Sequence, residues 1–487
     1  MKVITIDIGA SSGRVMVVSY NESKITYDEI QRFPNKTYLA DDILHWDFTL
    51  LMRNIKSGIE KALEKYVDIV SIGIDTFGVD YGVIDKNGYL IGDPYCYRDK
   101  KSYLKQKEVL SIIPFFELYE KVGIQNLHFN TIYQLFDDDR LKEGSTVLLI
   151  PDLIAYYLTG EMRMELTNAS TTSLYNYKKK EIDVDILNRL GIPKSVFPKM
   201  IYPKEKYGSL RKEYYPLNYK GKEIEVIATC SHDTASSVLG MNGFGNFAYL
   251  SSGTWSLIGR ELSEPILTKE SKEANFTNEI GIDFSIRYLK NTMGMFLINE
   301  TNTDFRNRGQ DISISKIKNH VYKAKDIDSY LDVNDPTFEG PGNMISKIDA
   351  YLEKTKQPIP ASPGEYFRLI YKSMAFSYRY IIENLERLTD SKISTLLISG
   401  GGNQADFLNE LTSNVLNKTV KTGPIESTVM GNAVAQMLHY EIFKDVNEAR
   451  MTIDRSIESK IFHPKNLIDE AEYKHYLKFI HKGELKK

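Results

Sequence analysis

The segment Ser231-His232-Asp233 carries residue types suited to acid–base chemistry. It lies between a predicted strand at residues 225–230 and a predicted helix that begins near Thr234. In an α/β sheet the carboxyl ends of strands border the ligand crevice, and a carboxylate at a helix N-terminus is stabilised as the anion. An ionised Asp233 could therefore accept a proton from a hydroxyl that attacks a phosphoryl group. Aspartate is also a preferred helix cap, so the residues alone leave a purely structural role open.

A turn of small residues near the start of the chain is a candidate phosphate site. Gly9-Ala10-Ser11-Ser12-Gly13 separates two β-rich runs at residues 3–18, and Asp7 ends the first run. Small side chains let a phosphate approach several backbone N–H groups, and a carboxylate beside them can hold hydrated magnesium. A similar hairpin recurs at residues 247–259, around Ser252-Gly253-Thr254. The pair indicates a duplicated fold that clamps a nucleotide.

Two further segments have the chemistry for ligand contacts. Gly400-Gly401-Gly402 separates a predicted strand from a predicted helix, where backbone can meet phosphate or ribose, although a flexible turn explains the glycines equally well. Residues 74–80 contain Asp75, Gly78 and Asp80, and Tyr97-Arg98-Asp99 follows shortly after. Charged groups beside an aromatic ring suit a polyol, but buried structural ion pairs would account for the same residues.

The elements that must position these residues alternate between strands and helices in both halves of the chain. Residues 160–225 read as an inserted region, and the turn-rich residues 241–245 mark the best domain boundary. The hydrophobic spacing predicts strands at residues 67–75, 147–150, 224–230 and 394–399, a hairpin at residues 81–85 and 89–91, and helices at residues 47–66, 104–123, 131–141, 152–158, 234–240, 363–388, 405–416 and 428–438. This order favours two α/β domains.

Composition narrows the class of protein. A chain of 487 residues exceeds one hydrophobic core, and a net charge of −3 gives no basic footprint for nucleic acid. Two cysteines, Cys96 and Cys230, cannot build a disulfide framework and favour a reducing compartment. Neither a secretory signal nor a membrane span is apparent, so we expect a cytoplasmic protein. The sequence also lacks the P-loop, the G-x-G-x-x-G fingerprint and H-E-x-x-H.

The ordered set of motifs resembles the FGGY family of carbohydrate kinases. The resemblance runs from about residue 4 to residue 440 and rests on residues 7–14, 73–80, 97–99, 130–135, 167–172, 231–236, 249–257, 275–279 and 289–294. It implies an α/β fold with two ribonuclease-H-like domains, as in actin-like ATPases, flanking a catalytic cleft. The domains would cover residues 1–242 and 243–487, with the nucleotide held mainly by the second.

The resemblance also implies an activity and site residues. Within the family, the motifs resemble most closely those of members that act in L-rhamnose catabolism. Those members phosphorylate L-rhamnulose at its 1-hydroxyl with ATP and Mg²⁺. Asp233 matches the catalytic base, and Gly78 and His232 match sugar-binding positions, beside which we place Asp75, Asp80 and Arg98. Asn299 stands where relatives carry Gln and keeps the amide with a shorter reach. The residues expected to bind ATP are Ala10, Ser11, Ser12, Gly13, Arg14, Thr254, Asn291, Asn299, Gly400, Gly401 and Gly402. Asp7 is the candidate metal ligand.

Two alternatives remain open from the sequence. The substrate could be another ketose, such as L-fuculose or L-xylulose. The chain could also be a nucleotide-gated binding protein without sugar chemistry, although an intact Ser231-His232-Asp233 argues against that. We expect small-molecule partners only, with neither nucleic acid nor membrane among them.

Overall fold

The computed structural model describes residues 1–480 except Glu22, Lys100, Glu143 and Asp311. The last seven residues of the predicted second domain, 481–487, lie outside the described residues. Among the residues described, no helix is long and apolar enough to cross a membrane.

The first half of the chain is rich in strands. Its strands are β1 Lys2–Ile8, β2 Ser12–Asn21, β3 Lys24–Pro34, β4 Thr37–Ala40, β5 Ile43–Trp46, β6 Ile69–Thr76, β7 Tyr81–Ile84, β8 Thr146–Leu149, β9 Met164–Glu165, β10 Tyr175–Asn176, β11 Glu181–Ile182, β12 Met200–Ile201, β13 Lys206–Ser209 and β14 Glu225–Ile227. Its helices are α1 Phe48–Lys65, α2 Ser102–Ile112, α3 Phe115–Val122, α4 Thr131–Leu135, α5 Ile150–Thr159, α6 Leu166–Ala169, α7 Val184–Arg189 and α8 Asp233–Leu239.

The second half contains longer helices. Its strands are β15 Phe247–Ser252, β16 Trp255–Leu262, β17 Thr277–Ile280, β18 Ile286–Met293, β19 Thr395–Ser399, β20 Thr419–Thr422 and β21 Ile461–Phe462. Its helices are α9 Lys269–Glu273, α10 Phe296–Asn307, α11 Ile314–Lys323, α12 Met344–Thr355, α13 Pro363–Thr389, α14 Asp406–Leu416, α15 Ser427–His439, α16 Val446–Ser456 and α17 Glu470–Tyr476.

The two main sheets share one topology. The first runs β13-β14-β6-β1-β2-β3, and the second runs β17-β18-β16-β15-β19-β20-β21. In each, the opening strand pairs antiparallel with the second strand of a hairpin and parallel with a later strand. A further parallel strand extends each sheet beyond that pair. The predicted α/β class with two similar sheet-rich halves is confirmed, and both predicted hairpins form.

Helices α8 and α15 join the halves. Although α15 follows the second sheet in the chain, its Gln436 reaches the first sheet, donating to the Ile4 carbonyl at 3.0 Å and accepting from Ser71 Oγ at 2.7 Å. Conversely, Val238 of α8 packs with Tyr249 and Leu289 of the second sheet. The two helices therefore cross between the sheets, each with contacts in the opposite half.

Several predicted elements differ from the structure for local reasons. The helix expected at residues 104–123 is two helices, α2 and α3, because Pro114 cannot continue a helix and forces extended backbone before itself. The helix expected at residues 131–141 ends at Leu135, and Asp137 is left-handed with φ 54°. The strand expected at residues 224–230 is β14, which begins at Glu225 and ends at Ile227, so a loop precedes Ser231-His232-Asp233.

Candidate active site

A cavity of about 720 Å³ lies between the two halves of the chain. Ala10, Gly78 and Asp233 line it from the first half, and Thr254 and Asn291 line it from the second. The structure thus brings together candidate residues that are up to 281 positions apart in sequence. A cleft with polar groups from both halves has the shape and chemistry of a small-molecule site.

Asp233 is the first residue of α8, and its carboxylate lies at the cavity wall. His232, not Asp233, holds the N-cap position. The Asp233 side chain keeps 32% of its surface exposed, and Thr234 Oγ1 donates to it at 3.1 Å. Burial raises the pKa of Asp233, His232 opposes this, and the charge of Asp7 adds to the rise. The carboxylate is therefore placed to face a ligand and to accept a proton more readily than an exposed aspartate.

His232 connects the first half to a buried charge pair from the second. Its Nδ1 lies 3.2 Å from Arg287 Nη2 and 3.4 Å from Glu279 Oε2, and its Nε2 lies 3.6 Å from Asp233 Oδ1. Arg287 and Glu279 themselves approach to 3.0 Å, and both are buried. The imidazole is thereby held in one orientation beside the carboxylate of Asp233.

Aromatic rings form one wall of the cavity. Phe77, Tyr97 and Phe129 line it, with Tyr97 5.5 Å from Phe129 and 6.1 Å from Phe77 between ring centroids. Trp46 packs behind Phe77 at 4.7 Å. A flat apolar wall of this kind suits the C–H face of a sugar.

Asp80 lies behind this wall and is not among the residues that line the cavity. Its carboxylate accepts from Trp46 Nε1 at 2.7 Å, the Tyr97 backbone N–H at 2.9 Å and Gln134 Nε2 at 2.9 Å. Burial raises its pKa to about 7, against the effect of these three donors. Asp80 thereby fixes Tyr97 of the wall and Trp46 behind it.

A strained turn places Gly78 against His232. Val79 has φ 72°, and the Asp80 N–H donates to the Gly78 carbonyl at 3.0 Å, so the three residues form a γ-turn. A β-branched residue in this conformation is rare and is typical of functional sites. Thr131 Oγ1 holds the turn by donating to the Val79 carbonyl at 2.7 Å. A Cβ atom on Gly78 would lie only 3.3 Å from His232 Nε2.

Two carboxylates, those of Asp7 and Asp75, lie at the ends of adjacent strands, and neither is among the residues that line the cavity. Asp7 and Asp75 are register partners on β1 and β6. Asp75 is fully buried and accepts from Asn432 Nδ2 at 2.5 Å, while its Oδ1 has no hydrogen-bond partner. Burial raises the pKa of Asp75 well above its usual range, and Asp7 adds to the rise. Two close carboxylates with an unsatisfied oxygen fit a hard divalent cation.

A protein-built metal cage is absent from the part of the chain that the structure describes, since no three His, Cys, Asp or Glu side chains are grouped as ligands. A cation at Asp7 and Asp75 would take its remaining ligands from phosphate and water, as Mg²⁺ commonly does.

The first hairpin contributes backbone and two ion pairs, both formed by Arg14. Ala10 lines the cavity, Ser11 is exposed, and the Gly9 N–H donates to the Ser12 carbonyl at 2.9 Å to close the turn. Gly13 packs under Phe33, where a Cβ would lie 2.6 Å from the ring. Arg14 forms ion pairs with Asp7 and with Glu426, which precedes α15. Its guanidinium therefore ties the hairpin to the other half.

The second hairpin, the glycine loop and α10 come together on the opposite side. The Thr254 carbonyl accepts from the Phe296 N–H at the start of α10, at 3.3 Å. The Gly253 carbonyl accepts from the Met295 N–H just before that helix, at 2.9 Å. Gly400, with φ 81°, lies where a Cβ would be 2.8 Å from the Ser252 carbonyl, whereas Gly401 faces open space. Gly402 is buried against Ser252, and Asn299 is exposed on α10. Gly253 and Thr254 line the cavity, whereas Gly400, Gly401, Gly402 and Asn299 are not among its lining residues.

The remaining predicted residues divide between the cavity and its surroundings. Asn291 lines the cavity and donates from Nδ2 to Gln125 Oε1 at 3.0 Å, a contact between the two halves. Arg98 is exposed, with its guanidinium 5.5 Å from the centre of the Tyr97 ring, and it is not part of the cavity lining.

Sequence reasoning missed four residues that shape the site: Gln125, Glu279, Arg287 and Trp46. Glu279 belongs to one of the recognised motifs, but its partner His232 is 47 positions away. No local spacing could have revealed these contacts, because each pairs strands or loops that are distant in sequence.

Comparisons with known proteins agree with this architecture. Family models for the FGGY family of carbohydrate kinases match residues 2–240 (N-terminal domain) and residues 248–440 (C-terminal domain). In fold, the chain is similar to a glycerol kinase from Plasmodium falciparum, solved with ADP, with TM-score 0.79, 15% identity and coverage of 98% of this chain and 96% of that one. A ligand-bound xylulose kinase from Lactobacillus acidophilus gives TM-score 0.76 at 16% identity and the same coverage.

Similarity in sequence is closer still. A rhamnulokinase from Enterococcus faecalis is 38% identical over 99% of this chain and 98% of its own length. A rhamnulokinase from Bacillus subtilis is 38% identical over 95% of each chain. Identity of this extent over nearly the whole length, together with two matching domain models, leaves one conclusion. This chain belongs to the FGGY family of carbohydrate kinases.

Proposed function

We propose that this protein phosphorylates L-rhamnulose at its 1-hydroxyl with ATP, giving L-rhamnulose 1-phosphate and ADP. The observation that carries the proposal is the position of Asp233, at the wall of a cavity between two halves of a sugar-kinase fold. The relatives named rhamnulokinase, at 38% identity over nearly the whole chain, support the choice of sugar.

Asp233 is the general base in this proposal. Its carboxylate takes the proton from the 1-hydroxyl as that oxygen attacks the γ-phosphorus of ATP, and the bond to the β,γ-bridging oxygen breaks. Burial raises the pKa of Asp233, which strengthens its carboxylate as a base. Enclosure between the two halves keeps water from competing with the sugar.

The sugar is bound between the aromatic wall and the polar groups of the opposite side. In our proposal Gly78 and His232 contact the sugar directly, since both line the cavity. The two residues are close together, because a Cβ atom on Gly78 would lie 3.3 Å from His232 Nε2. Asp80 acts through the wall that it fixes. We assign Arg98, which stacks near Tyr97 from outside, to the rim of the site.

The nucleotide is held by backbone from both hairpins. We assign the phosphates to residues 10–14 and to Thr254, and the nucleoside to the surface formed by Gly400–Gly402 and Asn299, with Asn291 between the two ligands. Arg14 is engaged by two carboxylates, so its role is to position the first hairpin and to balance charge near the phosphates. The division into two domains, residues 1–242 and residues 243–487, is also part of this proposal.

We assign Mg²⁺ to the strand ends that carry Asp7 and Asp75. Asp7 and Asp75 are the side chains that would hold it, with the unpartnered Oδ1 of Asp75 as an available ligand atom. Mg²⁺ bound there supplies neutralisation of the phosphate charge. Asn432 fixes the Asp75 carboxylate by its 2.5 Å hydrogen bond, and Arg14 forms an ion pair with Asp7.

The test is Asp233→Asn, measured with L-rhamnulose and ATP by coupled detection of ADP. A positioned base contributes about 10²–10⁴ in rate, so kcat should fall by at least about 100-fold while ketose binding by calorimetry is retained. Asp185→Asn is a matched control, because Asp185 also lies in the first turn of a helix but outside the cavity. A variant that keeps more than about a tenth of wild-type turnover would refute the base assignment.

The choice of sugar is tested separately with a panel of ketoses. L-Fuculose differs from L-rhamnulose in hydroxyl configuration, and a misplaced hydroxyl leaves a buried polar partner unsatisfied at a cost of about 1–3 kcal/mol. We therefore expect kcat/KM for L-rhamnulose to exceed that for L-fuculose and L-xylulose by about tenfold or more. Equal efficiency on either would refute the substrate but leave the kinase activity in place.

A further inference from the structure

The carboxylate of Asp233 is weakly held by its own contacts. Thr234, the next residue, donates to it from Oγ1 at 3.1 Å and from its backbone N–H, and His232 Nε2 lies 3.6 Å away, beyond hydrogen-bond length. Because these donors belong to the adjacent residue and move with the same backbone, the position of the carboxylate in the cavity depends on the backbone of residues 231–234. What anchors that backbone therefore decides where the base lies.

Glu165 anchors it from beneath. Its Oε2 accepts from the Ser231 backbone N–H at 3.1 Å and from Ser231 Oγ at 2.5 Å. On the other side, the Ser231 carbonyl accepts from the Thr76 N–H at 2.9 Å at the end of β6. Ser231 is thus clamped between a strand end and a buried carboxylate, two positions before Asp233.

Glu165 is itself rigidly placed. It precedes α6 and caps it, accepting from the Thr167 N–H at 2.8 Å, the Thr167 hydroxyl at 2.6 Å and the Asn168 N–H at 3.2 Å. The same Thr167 hydroxyl accepts from the backbone N–H of His232, with 3.4 Å between nitrogen and oxygen. Asp152 in turn accepts from the Glu165 N–H at 2.9 Å. One buried network therefore reaches both Ser231 and His232.

Capping of α6 alone does not explain why a buried carboxylate occupies position 165. Its side chain is fully buried, and within the described residues no Lys, Arg or His forms an ion pair with it. Burial raises its pKa, which the surrounding donors oppose. A neutral cap would serve α6 at less desolvation cost, whereas a carboxylate can accept from five donors in two separate segments.

We propose that Glu165 is a positioning residue for phosphoryl transfer, which holds the loop of Ser231, His232 and Asp233 in register with the cavity through its hydrogen bonds to Ser231. It is not a cavity-lining residue, so it acts through the loop and not on the substrate. The proposal rests on the proposed function, because it assumes that Asp233 is the base.

The experiment measures kcat and KM for the ketose that the wild-type protein uses best, with Glu165→Gln, Ser231→Ala and the double variant. Gln keeps the shape but turns an N–H toward at least one N–H or O–H donor, and Ala removes only the Ser231 hydroxyl. Because misplacement of about 1 Å can cost about 100-fold in rate, each single variant should lose about tenfold or more in kcat with KM changed less than threefold. The double variant should be no worse than the poorer single variant, since both changes break one link.

Asp183→Asn is the matched control. Asp183 is also fully buried and also caps a helix, accepting from the Asp185 and Ile186 N–H groups at 2.8 and 3.2 Å, but it does not line the cavity or contact residues 231–233. It should lower thermal stability as Glu165→Gln does while kcat stays within twofold of wild type.

The outcomes separate the two proposals. A wild-type protein inactive on every ketose refutes the proposed function and this one together. An active wild type with kcat of Glu165→Gln within twofold refutes the positioning role alone, and so do losses that multiply in the double variant. If Glu165→Gln does not fold, Ser231→Ala decides, since unchanged kcat in that folded variant would overturn the proposal.

Discussion

The crossing of α8 and α15 should be intolerant of a single methyl group. A Cβ atom on Gly431 would lie 2.8 Å from the Gly240 nitrogen and 2.7 Å from the Ser236 carbonyl carbon, with the Ser236 carbonyl oxygen nearer still. These are backbone atoms of α8 and its cap, which cannot rotate away as a side chain could. Replacement of Gly431 by alanine must therefore push the two helices apart.

The magnitude follows from two opposed effects. Alanine in place of glycine within a helix gains about 1 kcal/mol of helix propensity. Overpacking against fixed backbone costs about 1–3 kcal/mol and occasionally more, and separating the helices also loosens their contacts with both sheets. We expect the loss to prevail, with thermal unfolding lowered by about 2 °C or more. Because α8 begins with Asp233, kcat should also fall, by about tenfold if the base moves by a large fraction of 1 Å.

Scanning calorimetry and the coupled kinase assay measure both effects on Gly431→Ala. The control is Gly340→Ala, since a Cβ on Gly340 would meet only Lys347 Nζ, at 3.6 Å. A Gly431→Ala protein with unfolding temperature and kcat equal to or above those of wild type would refute the argument. It would mean that the helices can separate without disturbing the site.

Three further predictions follow from individual contacts. Because burial raises the pKa of Asp233, this carboxylate becomes protonated at a higher pH than an exposed aspartate, whose pKa is about 3.9. We therefore expect kcat to fall on acidification with a midpoint above about pH 4. A midpoint at or below that pH would contradict the assignment of Asp233 as the base. Gly78→Ala should raise KM for the ketose more than it lowers kcat, because the methyl group would lie 3.3 Å from His232 and Thr171; steady-state kinetics with unchanged KM would count against it. Asn432→Ala removes the buried donor to Asp75 and should cost about 1–3 kcal/mol, seen as a lower unfolding temperature, and an unchanged temperature would show that Asp75 finds another partner.

Local patterns predicted the parts of the fold that local physics controls. The two hairpins, the long helix α13 and the helix after the glycine loop follow directly from periodicity and turn residues. The errors arose where one residue overrode a favourable pattern. Pro114 divides a helical run into α2 and α3, and residues after Leu135 form turns although apolar residues recur there.

The site was predictable only in part, because much of it is made of contacts between distant segments. Asp233, Gly78 and His232 were found from the sequence and lie at one cavity, although their roles stay predictions until they are tested. The sequence predicted that Arg14 binds the phosphates of ATP. In the structure its guanidinium pairs with Asp7 and with Glu426, which lies 412 residues away in the chain. Such a pair leaves no signal in spacing, since neither residue is unusual in its own segment.

The contacts of α15 couple the two halves of the chain. Glu426, just before this helix, pairs with Arg14 of the phosphate hairpin, and Asn432 and Gln436 contact Asp75 and the backbone of β1. The Gly400 N–H donates to the carbonyl of Pro424, which leads into the same helix. One helix and the residues that lead into it thus link the glycine loop, the first hairpin and Asp75. Because α15 packs on the first sheet while its approach chain belongs to the second, a rotation of one half against the other must pivot at the α8–α15 crossing or distort these contacts.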